Sequence, residues 1–357
     1  MGSYAHNSAP ELLMFENIVM SEDCVIISGM SIPAKGLRVC MLMEDGYANF
    51  DPGYYLSDYT WEAFIMSSPV LDALRTLKKQ NRFDVYLNLC EGYETPHYSG
   101  MEVVRALEKL NLPFTGADSG FYEPTREEMQ SAAERRGVGF VKGVNVSGVG
   151  EVEAIDGRLR YPLMVKHPNS IGSAGMTRKS RVENVQELKQ QVGRICNRFG
   201  SARVEEFIDG REFTAFVVDN PDDFSNPFVY PPAELTIPNG EGFLHSKVKW
   251  KEYVYLKRVE DETLASRLME MTRKLYLAMN GTGYARADIR MDEAGALFML
   301  EINPNNGILY KPEDLGPADI MMEYDTEGHA GFLDRIFRSA IIRQQERPLL
   351  ENKSAWR

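Results

Sequence analysis

Gly283-Tyr-Ala-Arg-Ala-Asp-Ile-Arg-Met291 and Ala296-Leu-Phe-Met-Leu-Glu-Ile-Asn303 alternate polar and apolar side chains on either side of the turn-like Asp292-Glu-Ala-Gly295. Alternation with period two marks a strand with one wet and one dry face, so the stretch reads as a hairpin. A turn symmetric about residues 293 and 294 sets Arg286 opposite Glu301 and Asp288 opposite Met299. Arg286, Asp288, Glu301 and Asn303 then share one face. Ala285, Ala287, Ile289 and Met291 share the other with Ala296, Phe298, Leu300 and Ile302, and that face is wholly apolar.

From the hairpin alone, two readings of the charged face stay open. One is a solvated surface with an Arg–Glu cross-strand pair worth about 0.2–1 kcal/mol. The other is a magnesium site, because carboxylates and an amide carbonyl are the hard oxygen ligands this ion takes, with phosphate and water completing its shell. An arginine beside them could stabilise negative charge developing on a reacting oxygen.

Upstream, Leu264, Leu268, Met271, Leu275 and Met279 recur at helical spacing. Arg203–Val218 reads as a second hairpin turned at Asp209-Gly210, with Glu205 and Glu212 bracketing the turn. Tyr161–Lys166 is a strand ending in a lysine, and Asn169-Ser-Ile-Gly-Ser-Ala-Gly175 follows at once. Small residues there let backbone N–H groups approach phosphate oxygens while Lys166 supplies a point charge. Alone, a Gly/Ser loop after a strand is most often a plain turn, and this one matches neither GxxxxGK[ST] nor GxGxxG. Thr125 and Glu128 form a capping box ahead of a polar helix that Gly137 closes. Nearer the start, strands at Leu37–Met43 and Phe83–Leu89 alternate with helices after Pro69 and over Met101–Leu110, the pattern of a parallel α/β domain.

A chain of 357 residues exceeds one ordinary core. The expected organisation is an extension at 1–36, an N-terminal α/β domain at 37–123, a central α+β unit at 124–219, a C-terminal α+β unit at 220–345 and a polar tail at 346–357. Hydrophobic residues make up 43% and charged residues 26%, a globular mixture. Lys+Arg 40 against Asp+Glu 52 leaves a net charge of −12, which disfavours nucleic acid or an anionic membrane as partner. The four cysteines form no CxxC pair, which excludes ribbon-type zinc and redox motifs. Cys40 and Cys90 lie in apolar runs and read as buried free thiols of a reducing compartment. No run approaches the roughly 20 apolar residues that span a bilayer, so the expectation is a cytoplasmic protein.

Four blocks in order resemble the ATP-grasp superfamily, in its D-alanine–D-alanine ligase-like branch. They are Asn88-Leu-Cys-Glu-Gly92 with Leu110-Asn-Leu-Pro-Phe-Thr-Gly116, Met164-Val-Lys166 with the Gly/Ser loop, Val204-Glu-Glu-Phe-Ile-Asp-Gly-Arg-Glu212, and Gly283–Gly307. The resemblance implies an ATP-grasp fold, with ATP held between the central and C-terminal units. Lys166 would hold the α- and β-phosphates, and the loop at Gly172, Ser173 and Gly175 would fold over the β- and γ-phosphates. Glu205 and the backbone of Phe207 and Ile208 would meet adenine, with Glu212 on the ribose. Lys249, or its neighbour Lys247, would reach the nucleotide. Asp288, Glu301 and Asn303 would hold two magnesium ions, for which manganese can substitute. Arg286 and the Gly307 N–H would stabilise an oxyanion.

The implied reaction joins a small-molecule carboxylate to an amine through an acyl phosphate, acting on amino acids or a related metabolite. An ATP-grasp phosphotransferase or thiol ligase would use the same nucleotide residues, and a non-catalytic ATP-binding module is the alternative outside enzymes. The family is often dimeric through its N-terminal domain, so a homodimer is implied as well. This chain departs from the family in three places. Arg126 stands in the region where the family has a nucleotide-binding lysine. Ile308-Leu-Tyr-Lys-Pro-Glu313 replaces the segment whose hydroxyl binds the acceptor carboxylate, so Tyr310 and Lys311 become substrate candidates along with Glu91, Glu94 and His97. The loop Glu44–Tyr55 lacks the ligase pattern around the first substrate's amine.

Overall fold

The computed structural model describes residues 36–44, 50–90, 98–155, 157–169, 175–236, 242–243, 255–304 and 306–347. The described residues all fall within one compact unit, Ala34–Arg357. In chain order they begin with β1 (Arg38–Met43), α1 (Pro52–Tyr55), β2 (Thr60–Ile65), α2 (Val70–Gln80), β3 (Val85–Asn88) and α3 (Gly100–Lys109). Next come α4 (Arg126–Arg135), β4 (Gly143–Val146), α5 (Val152–Ile155), β5 (Leu163–Lys166), β6 (Arg181–Val182), α6 (Val185–Phe199) and β7 (Ala202–Glu206). The last group is β8 (Arg211–Val218), β9 (Phe228–Val229), β10 (Ala233–Thr236), β11 (Tyr255–Arg258), α7 (Glu262–Ala278), β12 (Tyr284–Met291), β13 (Leu297–Pro304), α8 (Pro317–Met322) and α9 (Gly328–Glu346).

Among the described residues the strands form three sheets. The first is parallel, in the order β2-β1-β3, with Tyr86 bridging further to Phe114. Its strand β1 is buried on both faces, as a sheet covered by helices requires. The second is antiparallel, β4-β7-β5-β6, and its apolar side packs on α5 and α6 through Val165, Val204, Leu188, Val192 and Ile195. The third runs β11-β10-β8-β12-β13 with β9 added to β8, and α7 lies against it through Leu264, Leu268, Met271 and Leu275. Together these give the expected mixture of a parallel α/β part with α+β parts.

Local chemistry fixes the helix starts. Thr125 and Glu128 cap α4 reciprocally, as the sequence predicts, and Gly137 leaves the helix at φ +64°. Asp261 caps α7 by accepting from the N–H groups of Thr263 and Leu264. Past α4 the chain runs along β13: Val141 N–H donates to Met299 O at 3.0 Å, and Met299 N–H donates to Gly139 O at 2.9 Å. A Cβ at Gly139 would lie 2.4 Å from Leu297 O, so only glycine allows this approach. The base of α4 is thereby tied to the charged hairpin.

Two expectations need correction. Asp209-Gly210 does not fold β7 back on β8, because the two strands belong to different sheets. Phe207–Gly210 instead crosses from one sheet to the next. Gly210 sits at φ +137°, and a Cβ there would lie 2.1 Å from Met291 O. The hairpin register also differs. Asp292 N–H donates to Ala296 O at 3.0 Å, and Gly295 lies at φ +79°. The turn therefore holds three residues with a left-handed glycine, not two. A second slip between Asp288 and Ile289 bulges out Leu300. Arg286 faces Asn303, Asp288 faces Glu301, and Ile289 faces Met299. Met299 and Leu297 join the apolar face, while Phe298 moves opposite Arg290. The charged set stays together, and its two carboxylates become direct neighbours.

Candidate functional site

On the polar face of the third sheet, β8 sets Thr214 beside Asp288 and Glu212 beside Arg290, while β13 sets Glu301 and Asn303 on the other side. Arg286 donates from Nε and Nη2 to the two oxygens of Asp288, each at 3.1 Å. Thr214 Oγ1 donates to Asp288 Oδ1 at 3.0 Å. Asn303 Nδ2 lies 3.3 Å from Glu301 Oε1 and 3.5 Å from Asp288 Oδ2, so the amide spans the two carboxylates. Asp288, Glu301 and Asn303 thus converge, as expected.

The second sheet faces them with cations. Lys166 Nζ lies 2.5 Å from Glu205 Oε2, and Arg203 Nε donates to Glu205 Oε1 at 3.0 Å. Arg203 reaches on to Gln130 Oε1 of α4 at 2.7 Å. Arg126, on the first turn of α4, donates to Leu300 O at 3.1 Å through Nη1 and to Glu301 Oε2 through Nη2. The carbonyl it takes is that of the bulged residue. Arg126 is 4% exposed, and its Nε finds no acceptor among the described residues.

The electrostatics follow from this crowding. Burial would raise the Glu301 carboxyl, but Arg126 and Lys166 outweigh it and hold the group at about 2. Glu205 is likewise lowered: burial acts upward, and Lys166 and Arg126 act more strongly downward. Burial and then the charge of Arg126 lower Lys166, only partly offset by Glu205 and Glu301. Arg286 is pushed up although burial opposes it, with Asp288 the main cause and Tyr310 a lesser one.

At the end of the face near the sheet crossing, Arg290 donates from Nε and Nη2 to Glu212 Oε2 at 3.0 and 2.7 Å, and from Nη1 to Ile208 O at 2.7 Å. Its guanidinium carbon lies 4.6 Å from the centre of the Phe207 ring, and that of Arg181 lies 4.5 Å from it. Burial raises the Glu212 carboxyl against the pull of Arg290. Phe207 N–H is committed to Pro162 O at 2.9 Å. Neither Arg203 nor Arg290 was singled out in the sequence. Both were legible there, since Arg290 continues the alternation of Arg286 and Asp288, and Arg203 shares a face with Glu205.

Past β13, a Cβ at Gly307 would lie 2.5 Å from the Tyr310 hydroxyl, so the phenol stands against the proposed oxyanion amide. Tyr310 pairs with Phe50 across an antiparallel bridge, with ring centroids 4.2 Å apart, and its carbonyl accepts from Tyr55 Oη at 2.8 Å. Leu309 is held at φ +60° by the buried Asp319, whose Oδ1 accepts its N–H at 2.8 Å. His329 backs Asp319 at 3.0 Å and stacks on Tyr55. Lys311 is half-buried beside this clamp. Gly175 sits at φ +73° against Phe199, with Arg194 on its carbonyl at 2.9 Å. Gly172, Ser173, Lys247, Lys249, Glu91, Glu94 and His97 lie outside the described residues.

Among the described residues, no group of three or more His, Cys, Asp and Glu side chains is placed to hold a metal ion. Two carboxylates and an amide converge here instead. That set fits magnesium, which takes hard oxygens and completes its shell from phosphate and water.

Residues 143–310 match the family model described as D-ala D-ala ligase C-terminus. A D-alanine–D-alanine ligase of Mannheimia succiniciproducens is 27% identical over 213 residues, 57% of this chain and 65% of the relative. The uncharacterized protein y4sG of Sinorhizobium fredii is 29% identical over 231 residues, 62% of this chain and 65% of the relative. The match therefore spans a little under two thirds of each relative's length. Among solved structures, the D-alanine–D-alanine ligase of Coxiella burnetii superposes with a TM-score of 0.64 at 17% identity, covering 87% of this chain and 96% of that one. The Bacillus anthracis ligase complexed with ATP gives 0.61 at 15% identity, covering 87% and 99%. The fold is that of these solved ligases, with charged side chains gathered where two antiparallel sheets and α4 meet. In sequence, residues 143–310 are similar to the C-terminal part of D-alanine–D-alanine ligases.

Proposed function

We propose that the protein is an ATP-dependent carboxylate–amine ligase that makes an amide bond through an acyl phosphate. The observation that carries this reading is the convergence of Asp288, Glu301, Asn303 and Arg286 from one sheet with Lys166 from the other sheet and Arg126 from α4. Two cations and a hard-oxygen set across one cleft suit a polyphosphate.

Lys166 and Arg126 would bind phosphate oxygens and offset the repulsion that meets an anionic carboxylate attacking the γ-phosphate. Magnesium, when bound by Asp288, Glu301 and Asn303, would supply further charge neutralisation there. Arg286, oriented by both oxygens of Asp288, would donate to the oxyanion formed when the amine attacks the acyl carbon, together with the Gly307 N–H. Loss of one such donor typically costs about 10²–10³ in rate. Phe207, flanked by Arg181 and Arg290, and the buried Glu212 offer a flat apolar surface and a hydroxyl acceptor for a nucleoside. The segment Ile308–Glu313 departs from the family's segment for the acceptor carboxylate, so the acceptor is left as an amine of the amino-acid class.

The test is ADP release with amino acids presented singly and in pairs, D-alanine among them, with mass spectrometry of the products. ADP and a condensed product appearing only with a pair is the expected result. ATP binding without turnover under every pairing would leave a nucleotide-binding module and overturn the proposal.

A further inference from the structure

Asp288 and Glu301 face each other across β12 and β13, and two adjacent carboxylates cannot stay charged in a partly buried site without counter-charge. Each is matched by a guanidinium, Asp288 by Arg286 and Glu301 by Arg126. The two arginines differ in origin. Arg286 belongs to the same strand as its partner, whereas Arg126 reaches in from α4, 175 residues away in sequence. It brings with it a buried Nε that has no acceptor among the described residues. It also lies close enough to Lys166 for its charge to disfavour the ammonium, although Glu205 and Glu301 act on both cations.

We infer that Arg126 is an internal stand-in for the divalent cation: it occupies Glu301 while the nucleotide is absent and passes to phosphate oxygens when the nucleotide arrives. A polyphosphate between Lys166 and Arg126 would relieve their repulsion and give Nε its acceptor. Glu301 would then be released for the ion. Divalent-ion binding is thereby gated by the nucleotide, because the ion competes with a tethered guanidinium until phosphate removes it. This rests on the ligase reading, in which Asp288, Glu301 and Asn303 hold the metal.

The experiment measures Mn²⁺ binding to the full chain by electron paramagnetic resonance, without nucleotide and with adenylyl imidodiphosphate. Wild type and Arg126→Lys should bind the free ion weakly, whereas Arg126→Gln should bind it at least tenfold more tightly. Arg126→Gln should also melt below wild type and recover on addition of Mn²⁺. If that variant does not fold without the ion, Mn²⁺-dependent refolding from urea gives the same readout. Equal Mn²⁺ affinity of wild type and Arg126→Gln without nucleotide, with normal binding when the analogue is present, overturns the inference and leaves the ligase reading intact. Absence of Mn²⁺ binding to wild type even with the analogue overturns both.

Discussion

Replacing Glu301 by glutamine removes one charge and little volume, so its effect on stability isolates the electrostatics of the cleft. The carboxyl is held at about 2, against an ordinary value of 4.5. At about 1.36 kcal/mol per pH unit, that interval is worth about 3 kcal/mol. A lowered folded-state value stabilises the fold fully above the unfolded value and is lost as pH falls through the folded one. Glu301→Gln should therefore be less stable than wild type by about 3 kcal/mol at pH 7. The difference should shrink between about pH 4.5 and about pH 2, until the two proteins converge. Urea denaturation followed by circular dichroism at pH 7, 4, 3 and 2 measures this directly. A stability difference that does not change with pH, or no difference at pH 7, would refute the claim that Arg126 and Lys166 hold this carboxylate ionised.

Three further outcomes are expected. Lys166→Met should weaken ATP binding roughly 10- to 100-fold by calorimetry, the worth of a charge-assisted contact of about 1.5–3 kcal/mol. Gly283→Ala puts a Cβ 2.3 Å from the Gly116 backbone at φ +71°, and should cost about 2–4 kcal/mol in a thermal melt. Asp319→Ala strands the Leu309 N–H and His329 together and should cost about 2–4 kcal/mol, whereas Asp319→Asn, which keeps an acceptor oxygen, should cost clearly less.

What could be read from the sequence was local. The alternation of 283–303, the capping box at Thr125 and the apolar stripe of α7 are set by neighbours a few positions apart, and they appear where expected. The convergence of Asp288, Glu301 and Asn303 followed because a slip of two residues returns every side chain to its face. What could not be read depended on distant partners. Asp209-Gly210 carries a turn signal, but whether it reverses the chain or passes it to another sheet is decided by what β7 and β8 each pair with. β2 was not anticipated because Thr60–Ile65 is an edge strand exposed along most of its length, with no buried face to impose alternation. The bulge at Leu300 leaves no mark in composition, and neither does the hold of Arg126 on Glu301.

Asp219 accepts from Tyr276 Oη, Gly283 N–H and the Arg343 guanidinium, partners 57, 64 and 124 residues away along the chain. Such a knot can be tied only after α7, β12 and α9 have all docked, so it contributes to the finished fold and hardly to the barrier crossed on the way there. Loosening it with Asp219→Asn should therefore shorten the lifetime of the native state in stopped-flow unfolding while refolding speed stays nearly unchanged. The carboxylate acts as a clasp fastened last, and it governs how long the cleft endures once built.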